Sequence, residues 1–269
     1  MILENKKIII TGGSSGIGRA TAIVAAREGA DISIADIDRA EAEVTAELVR
    51  AEGRIPLVIE MDTSKGDHVS RMIEETLTKF NTVDGIVCGA IKLRPSALED
   101  LTEDEWDMVM DVGLKGYYLC AQAAGRVMLK NGKGSIVFLS SVGGVQPYNG
   151  AGAYSVAKAG TIMLGNLFGV EWSNRGVRAN TVIPGQVRTP MTEEMFSDPE
   201  ISAGRASVVP MKRVGLPEEI AEVCVFLLSD RSSYVNAASI RVDGGLSESK
   251  LMHIPGRNWG GKKLEYTTD

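Results

Sequence analysis

The first ninety residues alternate short apolar strands with helical segments of ten or more residues. The sequence predicts strands at 6–11, 31–36, 56–61 and 85–90, with helices between them. Strands joined by helices of this length pair in parallel, because a tight turn can connect only antiparallel neighbours, and the helices then cover both faces of the sheet. Further strands are predicted near 134–141, 177–183 and 239–243. We therefore expect an α/β fold, a single-domain doubly wound parallel sheet of about seven strands with helices on both faces.

A glycine-rich turn joins the first strand to the first helix, where residues 11–20 read TGGSSGIGRA. Glycines in such a turn supply a tight bend, a close approach of the backbone to a ligand and close packing of the helix on the sheet. The free N–H groups and the dipole at the helix start favour an anion such as a pyrophosphate. Because the motif lies between a strand and a helix, it predicts dinucleotide binding, with contacts from Gly12, Ser14, Ser15, Gly16, Ile17 and Gly18.

The second strand ends in an acidic residue, Asp36, eighteen residues after Gly18. Related folds place a carboxylate near this distance to hydrogen-bond the adenosine ribose. Asp36 would repel a 2′-phosphate, and Asp38 adds to this effect, whereas Arg39 is the close cation that opposes it. The sequence thus favours NAD, with NADP as the less favoured cofactor. Asp36 could instead cap the following helix, although Asp38 is also suited to that role.

A tyrosine and a lysine, Tyr154 and Lys158, are four residues apart in a predicted helix, and Ser141 precedes the tyrosine by thirteen residues. Side chains at this spacing lie on one helix face, and an ammonium beside a phenol lowers the phenol pKa. Tyr154 would then serve as an acid or base near neutral pH, with Ser141 holding the same substrate oxygen from the end of its strand. Taken alone, a Tyr–Lys pair at this spacing is more often a solvated helix face.

Composition and charge exclude several other classes of protein. The chain has 269 residues, of which 44% are hydrophobic, and a formal net charge of −6 without a long Lys/Arg cluster, which argues against a nucleic-acid surface. No apolar run is long enough to cross a membrane, and the first residues lack a signal-peptide pattern, so we expect a cytoplasmic protein.

The cysteines and histidines do not group into a reactive or metal-binding pattern. Cys88, Cys120 and Cys224 lie far apart in apolar runs, so we expect neither a disulfide nor a metal site. His68 and His253 have no second His or Cys nearby, which leaves zinc catalysis and Ser/His/Asp hydrolysis poorly supported.

The sequence after the fourth strand contains two long predicted helices, at 102–130 and 153–173. Small residues recur along the second helix, which indicates close packing against another element, and a subunit interface is one explanation: Ala153, Ala157, Gly160, Gly165 and Gly169. Residues 186–213 show little periodicity and are interpreted as a substrate loop or lid. The polar, glycine-containing tail at 246–269 is expected to be disordered or docked on a neighbouring surface.

Over residues 1–245 the chain resembles the short-chain dehydrogenase/reductase family, whose fold is Rossmann-like. The matching motifs occur in the family's order: the glycine-rich turn, Asp62, the set Ser141, Tyr154 and Lys158, the segment from Pro184 to Thr189, and the sequence VDGG at 242–245.

The resemblance implies an NAD(P)-dependent oxidoreductase in which Tyr154 exchanges a proton with the substrate oxygen. It also implies that Lys158 lowers the tyrosine pKa and binds the nicotinamide ribose, and that Ser141 holds the substrate oxygen. Further cofactor contacts implied in this way are those of Asp62, Thr63, Gly89, Ala90, Pro184, Gly185, Val187 and Thr189. The family's usual assembly is a homotetramer or dimer.

Two positions depart from the family pattern. Cys88-Gly89-Ala90-Ile91 replaces the usual Asn-Asn-Ala-Gly and loses side-chain hydrogen bonds to neighbouring strands. Gly113 replaces an asparagine that supports a helix kink and a water linking the catalytic lysine to solvent. Glycine still permits the kink, so we expect proton transfer to survive in weakened form.

The favoured interpretation is an NAD-dependent enzyme that interconverts a secondary alcohol and its ketone, with a cyclic or bulky substrate. The substrate class is inferred from the family pocket positions, Ile91, Tyr148, Met191, Met195 and Phe196, while Lys92, Arg94 and Arg188 are more simply solvated charges. The alternative is a catalytically weakened or inactive nucleotide-binding homologue with a regulatory or structural role, as the glycine at 113 suggests.

Overall fold

In the computed structural model, which describes residues 1–249, the chain folds around one parallel sheet of seven strands. The strands are β1 (Lys7–Thr11), β2 (Asp31–Asp36), β3 (Pro56–Glu60), β4 (Gly85–Cys88), β5 (Gly134–Leu139), β6 (Val177–Pro184) and β7 (Ser239–Val242). Their order in the sheet is β3-β2-β1-β4-β5-β6-β7. This confirms the doubly wound α/β fold predicted from the sequence. Most of the predicted tail, residues 250–269, lies outside the described residues.

The sheet divides the core into two layers because successive side chains of a strand point to opposite faces. Ile8 and Ile10 of β1 pack in one layer, whereas Ile9 packs in the other. The first layer is covered by α1 (Gly16–Arg27), α2 (Arg39–Ala51) and α9 (Pro217–Leu228), and the second by α3 (Gly66–Phe80), α5 (Gly116–Asn131) and α6 (Tyr154–Trp172).

A topological switch lies at β1, which pairs with β2 on one side and with β4 on the other. The chain leaves the sheet in opposite directions from these strands, so a crevice opens at their carboxyl ends. Five of the predicted functional residues lie at or within two residues after the carboxyl ends of β1 to β5: Gly12, Asp36, Asp62, Ala90 and Ser141. Tyr154 and Lys158 belong instead to α6.

The predicted helix at 102–130 is interrupted in the structure. A capping box at Thr102 and Glu105 starts α4 (Glu103–Met110), a π-helical segment follows at Asp111–Lys115, and α5 begins at Gly116. The wider π turn contains the buried Gly113. Its extra residue rotates α5 relative to α4, so it changes which side chains of α5 face the sheet.

The predicted irregular loop at 186–213 contains two short helices, α7 (Glu193–Ser197) and α8 (Pro199–Ser207). Asp198 accepts hydrogen bonds from two backbone N–H groups at the start of α8, and Pro199 occupies its first position. Short helices of this kind show no clear apolar periodicity, so the capping residue and the proline are the sequence features that mark the start of α8.

The small residues of α6 pack against the same chain, which differs from the subunit interface considered above. A Cβ added to Gly165 would lie 2.2 Å from Thr181 Oγ1, and one added to Gly169 would lie 2.9 Å from the backbone N of Ala237. These glycines therefore allow α6 to sit close to β6 and the segment before β7. No helix in residues 1–249 combines the length and apolarity needed to span a bilayer.

Candidate active site

The glycine-rich turn forms a tight cradle at the amino end of α1. Gly12 and Gly16 have positive φ angles of 72° and 51°. A Cβ on Gly12 would lie 2.8 Å from the backbone N of Ala90, and one on Gly18 would lie 1.9 Å from the Gly12 carbonyl oxygen. Side chains here would fill the cradle, so its shape leaves backbone N–H groups open to a bound anion.

Asp36 ties the end of β2 to this turn. Its carboxylate accepts hydrogen bonds from the backbone N–H of Ser14 (3.0 Å) and of Asp38 (3.1 Å). Asp38 caps α2 by accepting from the N–H of Glu41 at 3.1 Å, so the cap role belongs to Asp38, as the sequence suggested. Arg39, the cation that could oppose the NAD assignment, lies 3.5 Å from a carboxylate oxygen of Glu43.

The segments after β3 and β4 line the same edge. Hydrogen bonds from Ser64 hold the pKa of Asp62 below its ordinary value, although burial acts to raise it. Thr63 is buried, and its Oγ1 has no hydrogen-bond partner. The Gly89 N–H donates to the carbonyl and to the hydroxyl of Thr11, at 3.1 and 3.2 Å, so backbone bonds hold β4 to β1 where the usual asparagines are missing.

The segment after β6 closes over the glycine-rich turn. Gly185 donates its N–H to Val242 O at 3.0 Å, and Val187 forms a bridge with Gly215. The side chain of Thr189 lies 3.4 Å from where a Cβ on Gly16 would be. This contact brings the region from Pro184 to Thr189 to the start of α1, so both could contact one extended ligand.

Ser141 and Tyr154 meet at the carboxyl end of β5, and both side chains are partly exposed. Ser141 Oγ accepts from the Gly143 N–H at 3.0 Å. A Cβ on Gly143 would lie 3.3 Å from the Tyr154 ring and 3.4 Å from Ser141 Oγ, which places both side chains around this glycine. The Ser141 hydroxyl also hydrogen-bonds Tyr154, so it lies within reach of the phenol oxygen.

The pKa of Tyr154 differs from the expectation drawn from the sequence. Burial raises it to about 12, and the hydrogen bond with Ser141 acts in the opposite direction. Burial lowers the pKa of Lys158 to about 7, so its positive charge is weakened near neutral pH. Lys158 Nζ lies 5.8 Å from the centre of the Tyr154 ring.

Lys158 is 3% exposed and binds polar groups inside the fold. Its Nζ donates to the Leu139 carbonyl at 2.7 Å and to the Tyr117 hydroxyl at 3.0 Å. The backbone carbonyl of Lys158 accepts from the Ser140 hydroxyl at 2.7 Å, which fixes α6 against the end of β5. The lysine therefore lies beneath the exposed hydroxyls rather than beside them in solvent.

Of the expected pocket residues, Tyr148 lies beside these hydroxyls, since a Cβ on Gly143 would lie 2.9 Å from its ring. Tyr148 and Met191 are about half exposed, at 54% and 50%, and Phe196 is buried. Arg188 pairs with Glu193 at 2.6 Å, and Lys92 and Arg94 are exposed, in keeping with solvated charges.

Two residues with a potential role escaped the sequence analysis. Arg205 of α8 lies 5.9 Å from the Phe196 ring centre and acts against the burial that raises the pKa of Tyr148. Tyr117 lies in the apolar run Tyr117-Tyr118-Leu119-Cys120, which is typical of a core helix. The sequence therefore contains no signal that its hydroxyl points into the site.

Within residues 1–249, no three His, Cys, Asp or Glu side chains group as metal ligands would.

The chain is similar to known reductases over most of its length. A family model described as enoyl-(acyl carrier protein) reductase matches residues 12–247. A 3-oxoacyl-[acyl-carrier-protein] reductase from Thermotoga maritima is 37% identical over 250 residues, which cover 91% of this chain and 99% of that protein.

Solved structures agree with the sequence relatives. Levodione reductase superposes with a TM-score of 0.88 at 33% identity, covering 92% of this chain and 99% of that one. A short-chain type dehydrogenase/reductase from Mycobacterium marinum superposes with a TM-score of 0.86 at 30% identity, covering 91% of this chain and 96% of that one.

Proposed function

Since this chain belongs to the short-chain dehydrogenase/reductase family of oxidoreductases, which act on CH–OH and keto groups, we propose that it interconverts a secondary alcohol and its ketone with NAD as cofactor. The observation that carries the proposal is the cluster at the end of β5, where the partly exposed Ser141 and Tyr154 lie above the buried Lys158.

Tyr154 is the proposed acid and base. With a pKa of about 12 its phenol is protonated at neutral pH, so it can donate to the oxygen of a ketone undergoing reduction. In the reverse direction it must first lose this proton. Ser141 can donate its hydroxyl proton to the same oxygen, because its lone pair already accepts from Gly143.

Lys158 is proposed to balance charge beneath the tyrosine. A cation close to a phenolate stabilises it, and the burial of Lys158 strengthens this interaction while making the cation itself costly. The ammonium therefore forms most readily when negative charge develops above it.

The residues present fit a dinucleotide. The cradle at Gly12, Gly16 and Gly18 would hold the pyrophosphate, Asp36 the adenosine ribose, and Asp62 and Thr63 the adenine. Ala90 and the region from Pro184 to Thr189 would hold the nicotinamide end, beside Tyr154 and Lys158. When bound there, the nicotinamide supplies or accepts the hydride.

Asp36 supports NAD rather than NADP. Its carboxylate ends β2 against the glycine-rich turn, where a 2′-phosphate would meet a negative charge. Two cations lie nearby: Arg39 forms an exposed pair with Glu43, and Arg19 pairs with Glu41 while donating to the Ser14 carbonyl of the glycine-rich turn.

The proposed substrate is a cyclic or otherwise bulky secondary alcohol. This proposal rests on the expected pocket residues, of which Tyr148 lies beside Tyr154 around Gly143, while Met191 and Phe196 are apolar. They favour a compact apolar body with the reacting oxygen directed at Ser141.

We also propose a homotetramer or dimer in the cytoplasm. The outward side of α6 exposes apolar side chains that a monomer would leave in water: Met163 at 65%, Leu167 at 51% and Val170 at 70%. Met163 and Leu167 line an apolar groove on this side of the molecule together with Tyr118 of α5. Leu167→Glu is expected to yield a smaller species by analytical ultracentrifugation; an unchanged mass would argue against this face.

The inactive homologue remains the alternative, and Gly113 is the observation that favours it. Titration with NADH and with NADPH, followed by a panel of cyclic and aromatic ketones, distinguishes the two. Tight NADH binding with turnover supports the enzyme.

Tyr154→Phe is the matched variant for this assay, because it removes only the hydroxyl. The enzyme should lose nearly all turnover while keeping NADH affinity. Equal turnover in Tyr154→Phe would contradict the assigned role of the tyrosine, and binding without turnover in the unaltered protein across the panel would favour the alternative.

A further inference from the structure

Lys158 is a buried amine that forms no ion pair with a carboxylate in the described part of the chain, and the thiol of Cys88 is the titratable group that acts to raise its pKa. Its recorded hydrogen bonds go to the Leu139 carbonyl and to the Tyr117 hydroxyl. A backbone carbonyl can only accept a proton. A hydroxyl can both accept and donate, so of these two groups only that of Tyr117 can satisfy the amine in either protonation state.

Tyr117 is held rigidly for this contact. It is 1% exposed, and its ring stacks against Phe138 with centres 6.3 Å apart. Its hydroxyl donates to Leu139 O at 3.3 Å while receiving the bond from Lys158, and Lys158 Nζ lies 4.9 Å from the ring centre. Burial raises the pKa of Tyr117 well above its ordinary value, so its phenol stays neutral and acts as a hydrogen-bonding group.

The direction of Tyr117 follows from the π-helical segment that ends two residues before it. A π turn holds an extra residue and so rotates the next turn of helix relative to the turn before. Gly113 within this segment offers no side-chain polar group, and its carbonyl accepts from Thr161 at 3.3 Å. The end of the Ile91 side chain lies only 2.4 Å from where a Cβ on Gly113 would be.

We propose that Tyr117 is a positioning residue for the reaction, holding Lys158 beneath Tyr154 and supporting its charged form in place of a polar side chain at position 113. The kinetic part of this inference rests on the proposed function. The hydrogen bond itself is a property of the protein without cofactor or substrate and is tested there.

The first test is the titration of Lys158 in Tyr117→Phe. Lysine labelled with ¹³C at Cε is followed by NMR in the cofactor-free protein, and Lys158→Arg assigns the signal. Loss of a hydrogen bond to a charged group should lower the Lys158 pKa by about one to two units. Tyr118→Phe is the matched control, because Tyr118 is exposed and bonds Gln122. Equal Lys158 midpoints in the unaltered protein and Tyr117→Phe would overturn the proposal.

A second measurement keeps the test valid if Tyr117→Phe fails to fold. We would incorporate 3-fluorotyrosine at position 117 alone, or at 118 alone, and record ¹⁹F spectra against pH. The label at 117 should shift with the same midpoint as Lys158, while the label at 118 should not. A label at 117 that ignores the Lys158 titration would show that the two groups are not coupled.

Kinetics separate this inference from the proposed function. In an active enzyme, Tyr117→Phe should lower kcat about ten- to a hundredfold and displace its pH profile, with little change in KM. A displaced Lys158 pKa in a protein without turnover would support the hydrogen bond and refute the function. Turnover with an unmoved kcat and pH profile in Tyr117→Phe would refute the positioning role.

Discussion

Gly113→Ala should destabilise this protein, although the same change in an ordinary helix interior is stabilising. Alanine exceeds glycine in helix propensity by about 1 kcal/mol, and Gly113 does not have a positive φ angle that would penalise a side chain. The new Cβ, however, would lie 2.4 Å from Ile91 Cδ1, well inside van der Waals contact. Overpacking of this kind costs about 1–3 kcal/mol, so the expected net loss is about 1 kcal/mol.

The partner substitution is Ile91→Val, which removes the Cδ1 atom. The nearest atom that would then remain is Ala157 Cβ at 3.6 Å, an ordinary contact. In the Ile91→Val background, Gly113→Ala should therefore stabilise by about 1 kcal/mol, which gives a coupling free energy of about 2 kcal/mol between the two positions.

This coupling is measured by urea unfolding, at one protein concentration, of the unaltered protein, Gly113→Ala, Ile91→Val and the double variant. Gly204→Ala in α8 is the control, because no atom lies within 4 Å of its added Cβ, and it should stabilise by about 1 kcal/mol. Additive effects at 113 and 91, or a stabilising Gly113→Ala in the unaltered background, would refute the conclusion that Ile91 occupies the space of a missing side chain.

Three further predictions use other parts of the molecule. Asp36→Ser should weaken NADH binding and narrow its advantage over NADPH, measured by nicotinamide fluorescence; tighter NADPH binding to the unaltered protein would reverse the cofactor assignment. Gly125→Ala should cost about 3 kcal/mol or prevent folding, because its Cβ would lie 2.0 Å from the Trp172 ring, itself packed at 4.5 Å on Phe168. Lys158 has a folded pKa of about 7, below its unfolded value, so the unfolded chain binds more protons between the two. The free energy of unfolding of the unaltered protein minus that of Lys158→Met, measured in urea, should thus rise by about 1 kcal/mol per pH unit from pH 7 to 10. A difference that does not change with pH would contradict the burial of Lys158.

The sequence predicts the strands and the glycine-rich turn well because these depend on local patterns. Apolar runs bounded by turns predict all seven strands to within two residues at each end, and Gly12 and Gly16 adopt positive φ angles. The family resemblance adds the order of the motifs, which the comparisons confirm at the level of the family.

Features that depend on tertiary packing were beyond the sequence. The π turn lies where the family resemblance implied a helix kink, but the packing of Ile91 and Ala157 against Gly113 could not be read from the sequence. The spacing of Tyr154 and Lys158 predicted a lowered tyrosine pKa, whereas burial raises the pKa of Tyr154 to about 12 and lowers that of Lys158 to about 7. The hydroxyl of Tyr117 was hidden for the same reason, since an apolar neighbourhood in sequence gives no sign of a buried amine nearby.

The strand order also determines how this chain can reach its fold. At the switch point β1 pairs with β2, which follows it closely in sequence, and with β4, which follows only after two further helices and β3, so that Ile8 meets Gly85. Closing so long a loop lowers the chain entropy before the strand contacts have formed to offset that cost. Parallel pairing between such distant strands is therefore slow. During synthesis β1 must wait, with one edge unpaired, until β4 has been made. The crevice offered to ligands is therefore opened by the same pairing that should limit the folding rate, and a chain halted before residue 85 would expose that edge to aggregation.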